Sequence, residues 1–247
     1  MPPAQPQLQI IDPPPLAKPH ALQPLTPSAF APFGTAIQAP RGGSGGVVAN
    51  QGTAVKHAAI SPFMNLYPSS SSLVCPAEAR INLFSCAPRQ LPPSGIFAVT
   101  ILERHPYTTQ TFVPLGLSAG GGSCCAGGGK KGGGAKGYVV IVAPTRAQDG
   151  LPDLAGLKAF RCRGNQAVTY APGCWHAPMV VVDERGGGAG AGAGDGCDSG
   201  EGGLNFVVVQ SENGTAMDCE EVLIADGGVP VLVGQHLGNW GLWEPRS

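Results

Sequence analysis

The run Ile96-Phe97-Ala98-Val99-Thr100-Ile101-Leu102-Glu103-Arg104-His105-Pro106 constrains the fold most. Its β-branched and aliphatic residues suit a pleated sheet, and three ionisable groups follow in a row at its end. Alternation along a strand sets Glu103 and His105 on one face with Phe97, Val99 and Ile101, and turns Arg104 to the other. Pro106 has no N–H for a ladder, so the strand stops there. Gln110 comes four residues later, in a second strand-like piece over 109–116. Burying Glu, His and Gln together costs several kcal/mol unless they are paired or ligated, so this region reads as a site.

The rest of the chain repeats the same short-strand pattern. Strands are predicted over 79–84, 138–143, 160–163, 166–170, 179–182, 204–210 and 220–224, with Gly164-Asn165 as a two-residue hairpin turn. One short helix is predicted after Thr26 as N-cap, with Pro27 at its first position and Pro32 and Gly34 ending it. Short strands with Gly and Pro punctuation and little helix point to an all-β sandwich or barrel.

Glycine (38) and proline (25) make up about a quarter of the 247 residues, but they are concentrated in a few segments. Residues 1–24 read as a mobile, disordered Pro-rich tail. Residues 118–137 and 185–203 read as Gly-rich insertions between strands of one domain spanning 25–226, which loop-closure entropy tolerates. Neither tract has the strand before and the helix with Lys-Ser/Thr after that a phosphate-binding loop requires. Residues 227–247 read as a C-terminal extension.

Net charge is −1, only 13% of residues are charged, and no basic stripe occurs, so nucleic acid and anionic membranes are not expected partners. No apolar run reaches membrane-spanning length, and no secretory signal is read at the start. The eight cysteines contain no C-x-x-C pair and read as free thiols of a reducing compartment, which predicts a cytoplasmic protein.

Two histidines lie in motifs. Glu103-x-His105-x4-Gln110 closes at Gly116, and Pro172-Gly173-x2-His176 precedes the strand over 179–182. Together they resemble the two motifs of the cupin superfamily, which bring four metal ligands into a small β-barrel. Glu103 stands where the first His would be, His105 at the second, Gln110 at the Glu and His176 at the last His. Longer wording resembles the ureidoglycolate lyases, cupin-like enzymes of purine (allantoin) breakdown. It comprises Leu102 to Pro106, Thr109-Gln110-x-Phe112-x-Pro114, Pro152-Asp153-Leu154, Gly164-x-Gln166-x-Val168-x-Tyr170 and Trp175-His176-x-Pro178. The chain departs from the bacterial pattern at Ser85, where an Arg is expected.

The resemblance implies a cupin-like double-stranded β-helix barrel with a few short helices, a homodimer, and release of glyoxylate and urea from ureidoglycolate. It implies His105, His176 and Glu103 as catalytic residues. It also implies a divalent metal, nickel in this family, on His105, His176, Glu103 and Gln110. Gln110, Arg104 and Tyr170 are the candidate substrate contacts, with Lys56 a further cation for the substrate carboxylate. The residue types suit the reaction: a carbinolamine must lose its hydroxyl proton while the departing nitrogen gains one, and imidazoles make such transfers near neutral pH. Two other readings stay open on the residues alone. One is another cupin metal-dependent enzyme acting on a small hydroxy acid; the other is a non-enzymatic cupin binding module.

Overall fold

The computed structural model describes residues 8–15, 18–40, 45–68, 75–115, 137–182 and 203–234. They form the all-β architecture expected, with one short α-helix, α1 (Pro27–Phe30), and a 3-10 turn at Asn50–Gly52. Thr26 caps it by accepting from the Ala29 N–H at 3.2 Å, and Pro27 sits in its first turn. The helix sets Phe30 among Phe33, Phe160 and Tyr170, ring against ring.

Two sheets make the body. The smaller has five strands in the order β3 (Gly34–Gln38), β13 (Gln166–Tyr170), β10 (Gln110–Leu115), β16 (Leu204–Glu212) and β6 (Glu78–Cys86). The larger runs β1 (Gln9–Ile11), β17 (Glu220–Ile224), β9 (Ile101–Arg104), β14 (Trp175–His176), β11 (Gly137–Ala143), β12 (Lys158–Arg163), β2 (His20–Pro24), β18 (Val229–Leu232), β8 (Ile96–Val99). β15 (Val180–Val182) joins β11 to β7 (Pro88–Arg89), and β4 (Val47–Ala49) with β5 (Ala54–Lys56) forms a separate ribbon. The large sheet curls, so this is the cupin-like barrel with extra strands around it.

All seven residues of β11 are buried, because both its faces are covered. Tyr138, Val140 and Val142 meet Phe112, Val168, Phe206 and Val208 of the small sheet in the barrel core. Val139, Ile141 and Ala143 face a second core, built with Leu102, Val222, Val229 and Val231 inside the curl of the large sheet. At the barrel's edge Gly34 lies opposite Tyr170, where any Cβ would strike the Thr169 carbonyl.

Several expectations are corrected. The stretch 1–24 is not simply a mobile tail: β1 pairs in parallel with β17, and β2 lies between β12 and β18. Proline misleads here, because Pro13, Pro14, Pro15 and Pro19 flank these strands and Pro24 ends β2. The domain likewise extends past 226, since β18 pairs with both β2 and β8. The run 96–105 breaks at Thr100, so Val99 and Leu102 enter the same core and Val99 does not share the face of Glu103. Gly164-Asn165 joins strands of different sheets and not a hairpin, and Gly164 lacks the positive φ such a turn needs. Of the two Gly-rich tracts only the closing residues Gly137 and Gly203 are described, and residues 235–247 also lie outside the described segments.

Candidate active site

Glu103 is the third residue of β9, flanked in register by His176 of β14 and Glu221 of β17. Alternation turns it into the barrel while Leu102 enters the second core. His105 follows just beyond the strand, and His176 sits on the barrel face of β14 opposite Val142. One carboxylate oxygen or ring nitrogen from each of Glu103, His105 and His176 lies within 4.8 Å of the others. The imidazole centroids are 5.6 Å apart, and Nε2 of His176 is 3.4 Å from Oε1 of Glu103.

A tight turn delivers His176. Cys174 N–H bonds the Ala171 carbonyl at 3.0 Å around Pro172 and Gly173, and Gly173 takes φ +74°. A type II turn requires a positive φ at its third residue, so the Pro-Gly order is the local cause of the motif. The Gly173 N–H then donates to the His105 carbonyl at 2.9 Å, tying the two motifs together.

Both imidazoles have their tautomer set by the backbone. Nδ1 of His105 is 2.7 Å from the Asp218 carbonyl, and Nδ1 of His176 is 2.9 Å from the Cys174 carbonyl. A carbonyl only accepts, so each Nδ1 carries a proton; in the neutral ring each Nε2 keeps a lone pair, and a second proton on Nε2 of His176 would face Oε1 of Glu103. Those two Nε2 atoms and Oε1 of Gln110 are buried without hydrogen-bond partners. Tyr170 lies flat on the His176 ring, centroids 4.0 Å apart and planes within 12°, and its hydroxyl is also buried and unpaired.

Burial lowers the pKa of His105, and the neighbouring charge of His176 lowers it further, outweighing the Asp218 carbonyl and the Glu103 carboxylate. Burial alone would raise Glu103, but the hydrogen-bonding and charge of His176, then His105, hold it below its usual range. Cys219 Sγ lies 3.9 Å from Oε2 of Glu103, and burial, helped by the nearby carboxylates, pushes this thiol up to about 12. Cys219 also lies with Glu103 and Glu221 in a second group whose ligand atoms are within 4.8 Å of one another.

Two bare imidazole lone pairs and a carboxylate facing each other form an electron-rich pocket that fits a divalent cation. Two imidazoles with backbone-bonded Nδ1 groups and one carboxylate make a common metal ligand set. The structure thus brings together Glu103, His105, His176, Tyr170 and, at the head of β10, Gln110. It does not bring Arg104 there. Arg104 points to the opposite face, where it pairs with Glu220 at 2.6 Å, donates to the Gly150 carbonyl at 2.9 Å and stacks on Trp175 at 4.6 Å. Lys56 is exposed on β5, which pairs with β4.

The residues not anticipated are Asp218, Cys219 and Gln210. Asp218 accepts from the Tyr67 hydroxyl at 2.6 Å and the Asn213 and Gly214 N–H groups at 2.8 and 2.7 Å, which fixes the carbonyl holding His105. Asp218 and Cys219 lie in the loop between β16 and β17, where no periodicity marks their role.

Comparison with known proteins identifies similar chains. Residues 18–188 match the family model described as ureidoglycolate lyase. A ureidoglycolate lyase of Schizosaccharomyces pombe is 38% identical over 169 residues, covering 67% of this chain and 80% of the relative. One of Saccharomyces cerevisiae is 33% identical over 199 residues, covering 75% and 82%. One of Burkholderia mallei is 34% identical over 164 residues, covering 66% and 76%.

Proposed function

The chain belongs to the ureidoglycolate lyase family, and from that premise we propose that it is a carbon–nitrogen lyase releasing glyoxylate and urea from ureidoglycolate. The observation that supports this most is the pair of imidazoles, each bonded through Nδ1 to a backbone carbonyl, gathered with Glu103 so that one donor atom from each lies within 4.8 Å of the others. In ureidoglycolate one carbon bears the hydroxyl, the carboxylate and the urea nitrogen. The Nε2 lone pairs of His105 and His176 are placed to take the hydroxyl proton. As the carbonyl of glyoxylate forms, the C–N bond breaks, its electron pair leaves with nitrogen, and the proton completes urea. Glu103 balances the charge of whichever imidazole holds the proton, and Tyr170 keeps the His176 ring in plane.

Alternatively, Glu103, His105 and His176 would give those lone pairs to a divalent ion, nickel being the expected one, and a bound ion would polarise the substrate hydroxyl and lower its pKa. Glyoxylate release before and after chelation, with readdition of nickel, tests this part. Loss and recovery of activity supports the ion, and full activity in chelator assigns the proton transfer to the side chains alone.

A homodimer and a cytoplasmic location belong to the same proposal. The outer face of the small sheet exposes Ile81 (77%), Leu83 (62%), Val113 (39%) and Leu115 (45%), and β6 is one of its two edge strands among the described residues. Such an apolar face beside an unpaired ladder suits a second copy of the chain. Cys75, Cys86, Cys162, Cys174 and Cys219 are free thiols, which suits a reducing compartment. No helix among the described residues is long and apolar enough to cross a membrane.

A further inference from the structure

Two carboxamides on the small sheet each lack a partner for their oxygen. Gln110 opens β10, and Gln210 lies near the end of β16. The antiparallel register Thr111↔Val209, carried one residue further, sets the two side by side. Both turn inward, since Gln110 and Phe112 are buried around half-buried Thr111, and Gln210 and Val208 around half-buried Val209. Gln110 is 3% exposed and Gln210 7%, and Oε1 of each is buried and unpaired.

The amide orientation of Gln210 is fixed by chemistry. Its nitrogen lies 2.6 Å from Oε1 of Glu212, which also accepts from Asn82 Nδ2 at 2.7 Å. A carboxylate cannot donate, so the NH2 group must face Glu212 and the oxygen is left over. A buried carbonyl oxygen with nothing to accept from is costly, and a bound donor removes that cost.

Gln110 is also tied to an imidazole, since it is in register with Tyr170, whose ring lies on His176.

We propose that the oxygens of Gln110 and Gln210 accept N–H groups of the substrate's ureido arm, which makes the pair the determinant of ureido specificity. The inference rests on the lyase reading for its substrate. A ureido group offers three N–H donors on the two nitrogens of one carbonyl, matching two neighbouring acceptors. A hydroxy acid without that arm has none of them, and leaves both oxygens unpaired. Sites built around buried polar groups reject a ligand that cannot satisfy them.

The test is calorimetric binding of two small ligands to the full chain. N-carbamoylglycine carries the carboxylate and the ureido arm, and glycolate carries the carboxylate and the hydroxyl. Gln210→Met keeps side-chain length and removes the acceptor; Gln110→Met serves as the second variant should the first not fold. Either should weaken N-carbamoylglycine by roughly 5- to 100-fold and leave glycolate within about twofold. Equal loss of both ligands, no loss of either, or no binding of N-carbamoylglycine by the wild type overturns the proposal. Glyoxylate release by the wild type is scored separately. Its absence with selective ureido binding intact would remove the lyase reading and keep the glutamine pair.

Discussion

Asp218 offers the sharpest test of how the loop after β16 supports catalysis. Its carboxylate accepts three hydrogen bonds, from Tyr67, Asn213 and Gly214, and its own carbonyl orients His105. Each bond to a charged acceptor contributes roughly 1.5–3 kcal/mol when dry. Gly214 is exposed and Tyr67 and Asn213 are half-buried, so water replaces part of that. Asp218→Ala should therefore destabilise the fold by about 2–4 kcal/mol, and Tyr67→Phe, which removes one bond, by about 1–2 kcal/mol. Loss of a group that orients an active-site imidazole typically costs about 10–100-fold in activity. Urea denaturation gives the first quantity and the kcat for glyoxylate release the second. Because Asp218 acts through His105, adding Asp218→Ala to His105→Ala should cost little further activity. A folded Asp218→Ala protein that is destabilised as stated yet keeps full kcat would refute this coupling.

Three further outcomes follow from the geometry. Arg104→Met should lower stability by about 1–2 kcal/mol through the lost Glu220 and Trp175 contacts, while glyoxylate release stays within about threefold; a large kcat loss would return Arg104 to the substrate. Leu83→Lys should convert a dimer to a monomer by light scattering, and an unchanged mass would move the interface elsewhere. His105 has a pKa lowered from 6.5, so as pH falls through that value the unfolded chain takes up the proton first and stability is lost. The melting temperature in chelator should fall from about pH 7 toward pH 5.5, and less steeply in His105→Phe.

Much of the site was legible in the sequence because it depends on local rules. Strand alternation put Glu103 and Arg104 on opposite faces, and Pro172-Gly173 announced the turn that delivers His176. Whatever depended on distant pairing was not legible. Gln210 reads as the polar end of an apolar strand, and only its register beside Gln110 and its bond to Glu212 give it a role. Gly164-Asn165 has hairpin residues, yet β12 pairs with β11 and β2 while β13 pairs with β3 and β10. The proline-rich start hid β1 and β2, because their stability comes from parallel partners some 140 to 210 residues away and not from local propensity.

The central claim is that His105 and His176 act together on ureidoglycolate, and glyoxylate release by the single and double alanine variants tests it most directly. Each single variant should lose roughly 10²–10⁴ in turnover while remaining folded, and the double variant should lose little more than either one. A folded His176→Ala protein releasing glyoxylate at a near-normal rate would contradict the account and make His176 a packing residue beside Tyr170.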